Sequence, residues 1–351
     1  MFGMKPRRVT LPRPEGASKR WNRSGQALAL RPMCVVEVIR ETPRAVTIVL
    51  EPEDARPFAF KAGQYLTHCF EINGETVKRA YSLSSAEGGR VACTVKAIEG
   101  GRASAFVLDR LKAGDRYPIL GPSGEFVLDP NATGPLSLLA AGSGITPVIG
   151  LIETALAHDA SRRIKLVYAN RTEADVIFAG RLKALQAKHP NLEVTHVLSS
   201  TDGRLDAARA AQLLESVGAT YYLCGPSALM DAAERGLKMR GVAATLIHRE
   251  RFLAASRPVH AKPTIAVEIA FHRSHKLVTQ QPGETILEAG LREGLPLPFS
   301  CTVGGCGSCK MKVLEGEVAL NEPNCLSEDE RVTGHTLACS AYALGRLVVD
   351  A

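Results

Sequence analysis

The sequence predicts three domains in one chain: an antiparallel β-barrel, an α/β domain on a parallel sheet, and a small α+β domain at the carboxyl end. Three observations carry this. A chain of 351 residues exceeds one typical domain. Near Asp129 the pattern changes from short, turn-separated β-rich runs to alternating strands and helices. A cysteine-rich segment then follows a proline-punctuated stretch at residues 253–263.

In the first domain (33–131), residues 34–39, 46–50, 65–70 and 91–97 read as closely spaced strands, as an antiparallel barrel requires, and one helical run at 103–111 interrupts them. In the second (132–252), apolar strands at 136–141, 164–169, 192–198, 221–224 and 245–247 interleave with helices such as 147–157, 181–188 and 227–239. Residues 253–263 read as a linker whose reach is about 36–40 Å, which keeps the last domain (264–351) near the others. That domain opens on alternation at 265–271 and a helix near 286–293. The stretch 131–152 carries no charge and has the length of a membrane span, but its Pro135, Gly142, Gly144 and Pro147 read as strand, glycine loop and buried helix.

Composition excludes whole classes. With 45% hydrophobic and 23% charged residues the chain is globular, and collagen-like, coiled-coil and disordered readings fail. The formal charge of +7 is local: residues 1–32 hold eight basic side chains against Glu15 alone, and the remainder is neutral. That tail reads as flexible, and no apolar run in it suits a secretory signal. Nucleic-acid binding is therefore not expected of the body, and the cytoplasm is the expected compartment. Nine cysteines, an odd number, fit free or metal-bound thiols rather than a disulfide framework.

The strongest motif is Cys301-x4-Cys306-x2-Cys309, followed after 29 residues by Cys339. Four thiolates at this spacing suit a [2Fe–2S] cluster. Gly304, Gly305 and Gly307 let the loop curl so that backbone N–H groups reach the sulfurs, and a strand at 336–340 supplies the fourth ligand. The rival is structural zinc, which usually shows two paired knuckles where this chain has one. Cys325 has no partner spacing and reads as a bystander. With Pro298-Phe299-Ser300 before the loop and Leu337-Ala338-Cys339 at its end, the segment resembles plant-type ferredoxins over about ninety residues, which implies a β-grasp fold.

Two segments of the first domain suit a flavin nucleotide. Arg79-Ala80-Tyr81-Ser82, read as following a strand, puts a cation, an aromatic ring and a hydroxyl on one extended run, with Arg79 and Tyr81 on one side and Ser82 on the other. Gly100-Gly101-Arg102-Ala103-Ser104 opens the single helix, where N–H groups and a serine hydroxyl make an anion site. In the second domain, Gly142-Ser143-Gly144-Ile145-Thr146-Pro147 joins strand to helix with glycines that admit a pyrophosphate, although it is not the G-x-G-x-x-G fingerprint. Cys224-Gly225-Pro226 ends a later strand, where such sheets open their ligand crevice.

Together, residues 33–252 resemble the ferredoxin–NADP⁺ reductase superfamily, with the motifs in the expected order. The resemblance implies FAD on the barrel and NADPH or NADH on the α/β domain. It implies that Arg79, Gly101, Arg102, Ala103 and Ser104 hold the FAD pyrophosphate, that Tyr81 stacks on the isoalloxazine, and that Ser82 approaches its N5. Residues Gly142 to Thr146 would meet the dinucleotide phosphates, Cys224 would lie near the nicotinamide, and Phe252 would cover the other flavin face. The segment 121–126 resembles the closing segment of FAD-type rather than FMN-type members. Where NAD-selective sites place a carboxylate after the second strand, this chain has Arg171, which suits a 2′-phosphate and favours NADPH, with Glu173 and Asp175 nearby.

The domain order resembles the reductase components of multicomponent oxygenases. Such a chain accepts a hydride pair from NAD(P)H and releases electrons singly. Its expected partner is a terminal oxygenase or epoxidase; the alternatives are an acyl desaturase or a hybrid-cluster protein, with the basic tail on anionic lipid. A zinc-stabilised adaptor is the rival from another class. The run Glu328-Asp329-Glu330 reads either as a docking patch or as a solvated face.

Overall fold

The computed structural model describes residues 30–130, 132–252 and 263–351. The expected tail up to residue 29, Asn131 and residues 253–262 of the expected linker lie outside the described residues. The described chain divides into two compact units, residues 30–252 and residues 263–351.

The first unit opens with strands β1 (Arg31–Thr42), β2 (Ala45–Pro52), β3 (Tyr65–Ile72), β4 (Glu75–Ser82) and β5 (Val91–Lys96), then helix α1 (Arg102–Asp109) and strand β6 (Arg116–Ser123). They form an antiparallel sheet in the order β4-β3-β6-β1-β2-β5. Leu83 bridges Cys93 and the Ser84 N–H donates to the Ala92 carbonyl at 2.7 Å, so the two edges meet and the sheet closes as a barrel. Met33, Val35, Ile48, Leu66, Phe70, Val95 and Ile119 fill it, with Val107 of α1 packed among them. β1 begins before the expected start at 33: Arg31 is held by Asp54 at 2.8 Å and stands over the Phe58 ring. β4 escapes the sequence pattern because Glu75, Thr76, Lys78 and Arg79 mask it. Its signal is the preceding turn, Asn73-Gly74, where φ is +54° and +79°. Arg79 to Ser82 are therefore the end of a strand rather than a segment following one.

The second domain comprises β7 (Leu136–Ala141), α2 (Ile145–His158), β8 (Ile164–Asn170), α3 (Ala179–Lys188), β9 (Leu192–Leu198), α4 (Ala207–Leu214), β10 (Thr220–Cys224), α5 (Ser227–Met239) and β11 (Ile247–Glu250). All five strands are parallel, in the order β11-β10-β7-β8-β9. The uncharged stretch forms β7, a turn and α2, and no helix among the described residues is long and apolar enough to cross a membrane. Alternation within β7 sorts the two faces: Leu136 and Leu138 pack with Ile149 and Ile152 of α2, whereas Leu139 packs with Leu214 of α4 and Met230 of α5. The strand expected at 245–247 lies later, because residues Ala244–Leu246 form a 3₁₀ turn first. Ala45, Ala62 and Phe126 of the barrel share the α2 core, so the two domains of this unit are packed together.

The second unit holds β12 (Val267–Phe271), β13 (Lys276–Gln280), α6 (Ile286–Arg292), β14 (Lys310–Glu315), β15 (Val318–Leu320), α7 (Glu328–Val332), β16 (His335–Leu337), β17 (Ala341–Ala343) and β18 (Leu347–Val349). Its main sheet runs β13-β12-β18-β14-β16, with β12 and β18 parallel. Helix α6 starts at a capping box of Thr285 and Glu288 and buries Ile286, Leu287 and Ala289 in the unit's core. The strand expected at 336–340 ends at Leu337, and Cys339 sits in the turn beyond, closed by the Ser340 N–H on the Leu337 carbonyl. The acidic run has a local cause: Ser327 and Glu330 form the capping box of α7, and Glu330 pairs with Lys310.

Candidate functional site

β14 and β16 pair antiparallel with Lys310 opposite Leu337, and the Ala338 N–H donates to the Cys309 carbonyl at 3.1 Å. That pairing carries Cys339 to the loop. The Cys301 thiol meets those of Cys306 and Cys339, and the Cys339 thiol meets that of Cys309. Backbone N–H groups point at the sulfurs: Gly304 at Cys339 Sγ (3.3 Å), Gly305 and Val303 at Cys301 Sγ (3.3 and 3.5 Å), and Cys301 at Cys306 Sγ (3.5 Å). Such donors stabilise negative sulfur, as ligand thiolates need. The chain curls through left-handed φ at Thr302, Gly304 and Gly307, so Thr302 takes the role expected of Gly305. Among the described residues no three His, Cys, Asp or Glu side chains are placed to hold a single metal ion. The four thiols form a row of pairwise contacts, Cys306–Cys301–Cys339–Cys309, and four cysteine thiolates are the ligand set of a [2Fe–2S] centre. Cys301, Cys309 and Cys339 are buried and Cys306 is exposed.

Cys325 is not remote from this loop, contrary to the bystander reading. Its N–H donates to the Gly304 carbonyl at 3.0 Å, and its Sγ lies 3.5 Å from where a Cβ on Gly307 would stand.

In the barrel, β3 and β4 set Tyr65 opposite Ser82, Leu66 opposite Tyr81 and His68 opposite Arg79. Ser82 is buried and Tyr81 half-buried, its ring edge-on to His68 at 5.4 Å. Burial pushes the Tyr81 phenol above its ordinary range, so it stays neutral. Gly101 caps α1 without a side-chain bond, and the first turn holds no acid, which leaves an N-terminus suited to an anion. Ala103 and Ser104 are buried there. The expectation for Ser104 needs correcting. Its hydroxyl donates to the Gly101 carbonyl at 3.0 Å and accepts from the Ile98 N–H at 3.2 Å, so it holds the loop rather than facing an anion. A Cβ on Gly101 would sit 2.6 Å from that hydroxyl. Arg102 pairs with Glu75 at 2.7 Å in an exposed position, where such a pair contributes little and is easily exchanged.

In the α/β domain, strand order reverses between β7 and β10, and both strands end at one crevice. Gly142–Gly144 form a 3₁₀ turn that enters α2, with Gly142 at φ +52°. Ser143 is half-buried, and Ile145, Thr146 and Pro147 are buried in the first turn of α2. The Thr146 hydroxyl donates to the Ser143 carbonyl at 3.0 Å. Opposite lie Cys224, Gly225 and Pro226, the last capping α5. A Cβ on Gly144 would collide with the Cys224 carbonyl, and one on Gly225 would stand 2.9 Å from the Ala141 Cβ. The backbone therefore lines a cradle that larger residues would fill. Burial, reinforced by the Glu250 carboxylate, raises the Cys224 thiol well above its usual range, so it is a neutral wall rather than a nucleophile.

Arg171 is exposed at the end of β8. Asp175 accepts from the Thr172 hydroxyl at 2.8 Å in a capping box, and this bond lowers its pKa and engages its carboxylate. Phe252 is 43% exposed just beyond β11. Sequence reasoning missed Tyr168. This fully buried side chain donates to the Gly142 carbonyl at 3.1 Å and accepts from the Ile177 N–H at 3.2 Å, tethering the glycine turn. Its only signal was a tyrosine among the apolar residues of β8.

Comparison with known proteins agrees with this geometry. Models of an oxidoreductase FAD-binding domain, an oxidoreductase NAD-binding domain and a 2Fe-2S iron-sulfur cluster binding domain match residues 36–128, 138–235 and 271–344. A component of the 1,2-phenylacetyl-CoA epoxidase of Escherichia coli is 34% identical, over 91% of this chain and 96% of its own length. The ferredoxin reductase component of 3-ketosteroid-9-alpha-monooxygenase from Mycolicibacterium smegmatis is 36% identical, over 88% and 92%. The solved structure of phthalate dioxygenase reductase superposes with a TM-score of 0.69 at 25% identity, covering 92% of this chain and 98% of that one.

Proposed function

The chain belongs to the family of oxidoreductases that join FAD-binding, NAD-binding and [2Fe–2S] domains, and we propose that its acceptor is a terminal oxygenase or epoxidase. It is an NAD(P)H-dependent reductase. When bound, FAD supplies the exchange of one hydride for two single electrons, and the cluster relays them.

The chain's own residues then have assignable tasks. Arg79 and the N-terminal N–H groups of α1 (Arg102, Ala103 and Ser104) hold the FAD phosphates, with Gly101 admitting them and Arg102 exchanging Glu75 for phosphate. Tyr81 offers its face to the ring, Ala80 keeps the strand close, and Ser82 presents its hydroxyl toward N5. Residues Gly142 to Pro147 take the dinucleotide phosphates, and Cys224, Gly225 and Pro226 wall the nicotinamide. Phe252 covers the flavin from the other side. Arg171 grips a 2′-phosphate, which favours NADPH, since Asp175 is engaged by Thr172. Cys301, Cys306, Cys309 and Cys339 ligate the cluster, and exposed Cys306 marks the edge from which electrons leave. The reducing cytoplasm suits nine unbridged thiols. The names of the relatives, both oxygenase or epoxidase components, support the acceptor class over a desaturase or hybrid-cluster protein.

The observation that carries this reading is the row of four thiols in pairwise contact, with backbone N–H groups aimed at the sulfurs of Cys301, Cys306 and Cys339. Anaerobic titration of the purified protein with NADPH and with NADH, followed by absorbance, tests it. Bleaching of flavin and cluster bands at lower NADPH than NADH is expected. No bleaching with either dinucleotide would refute the reductase assignment.

A further inference from the structure

The seam between the barrel and the α/β domain contains an arginine that neither cofactor accounts for. Arg181, in the first turn of α3, donates from Nε to Glu153 Oε1 of α2 at 2.6 Å and from its NH2 group to Glu153 Oε2 at 2.5 Å. Its remaining NH1 group donates to the Ser84 carbonyl of the barrel at 3.0 Å. The guanidinium also lies 5.3 Å from the centre of the Phe178 ring. Phe178 caps α3 with φ at +64°, a conformation that costs a non-glycine residue energy and persists only where its surroundings impose it. Three fixed partners and a strained cap thus hold one side chain between two helices and a strand end.

The place of that carbonyl matters. Ser84 follows Tyr81 and Ser82 by two or three residues, on the run that faces the flavin in the reading above. Neighbouring contacts reinforce the same line. The Glu87 N–H donates to the Thr154 hydroxyl of α2 at 3.0 Å, and a Cβ on Gly150 of α2 would stand 2.6 Å from the Ser85 carbonyl. Helix α2 begins at the dinucleotide turn. One helix therefore ties the phosphate cradle to the flavin-facing segment, and Arg181 is the charged contact across that line.

We propose that Arg181 is a positioning residue for hydride transfer: by joining Glu153 to the Ser84 carbonyl, it sets the spacing between the nicotinamide crevice and the flavin-facing strand. The inference rests on the proposed function. It differs from a stability role because small displacements of reacting groups cost rate before they cost folding.

Rapid mixing of the FAD-loaded full chain with reduced dinucleotide tests it. In Arg181→Ala the limiting rate of flavin reduction falls about tenfold, while half-saturation moves less than about threefold. Flavin content and melting temperature stay near wild type. The long-wavelength charge-transfer absorbance of the nicotinamide–flavin pair weakens, a ground-state reading that turnover does not enter. Arg181→Lys keeps one donor and recovers part of both, and Glu153→Gln, which leaves the Ser84 contact, loses less than Arg181→Ala. An unchanged rate and band in Arg181→Ala overturns the proposal, as does a rate lost only in proportion to lost flavin. A wild-type chain inert toward both dinucleotides overturns the proposed function itself, and this inference with it.

Discussion

Gly144 stands directly over the carbonyl of Cys224, so closely that a single added methyl group would collide with it. Gly144 lies in the turn after β7 and Cys224 ends β10, strands on either side of the reversal in sheet order, and their contact closes the floor of the proposed dinucleotide crevice. Gly144→Ala should therefore push the turn away from β10. Overpacking of this kind costs about 1–3 kcal/mol. The expected result is a lower melting temperature together with weaker dinucleotide binding, both readable on the purified variant, whereas Gly180→Ala, which meets open space in the first turn of α3, should leave binding unchanged and hold or slightly raise the melting temperature.

A pH prediction follows from His68. It is fully buried, with Nδ1 3.0 Å from the Tyr117 hydroxyl, and burial lowers its pKa from 6.5 to about 3. The unfolded chain binds a proton here near pH 6.5, and the folded chain does so only near 3. The first unit should accordingly lose stability as pH falls from 6.5 toward 3 and gain nothing from this group above 6.5. His68→Gln, which keeps a polar partner for Tyr117, should flatten that part of the melting-temperature profile.

Cys306→Ser should separate the two halves of the reaction. Reduction of flavin by dinucleotide should persist, because the first unit contains both of its sites. Onward delivery to a one-electron acceptor should fall to background. Parallel loss of both activities would contradict the division of labour between the units.

Arg171→Ala tests dinucleotide choice. Loss of a charge-assisted hydrogen bond costs about 1.5–3 kcal/mol, so KM for NADPH should rise roughly ten- to a hundredfold with little change for NADH. An unchanged KM for both would show that Arg171 is only a solvated side chain, and an equal rise for both would show that it does not read the 2′-phosphate.

How much the sequence reveals depends on distance along the chain. The Cys301 loop is legible because spacing and glycines act within nine residues, and the central parallel strands β7 and β10 are legible because both faces are covered and their sequences run largely apolar. β18, central in its sheet at three residues, is not: Leu347–Val349 has no periodicity, and only its long-range pairing with β12 and β14 makes it a strand. The same holds at the sites. The reversal that brings Gly144 to Cys224, the turn that sets Cys325 against Gly304, and the inward rotation of the Ser104 hydroxyl are products of tertiary contact. Arg181 is not legible locally, since its hydrogen-bond partners are 28 and 97 residues away.

What the four thiols bind decides whether the chain can release electrons singly. Iron, zinc and flavin content of the aerobically purified chain, with a low-temperature electron paramagnetic resonance spectrum after reduction by NADPH, measures it directly. About two irons and one FAD per chain, with a rhombic signal from the reduced protein, is the predicted result. One zinc and no iron, or a colourless protein without a signal, would contradict it.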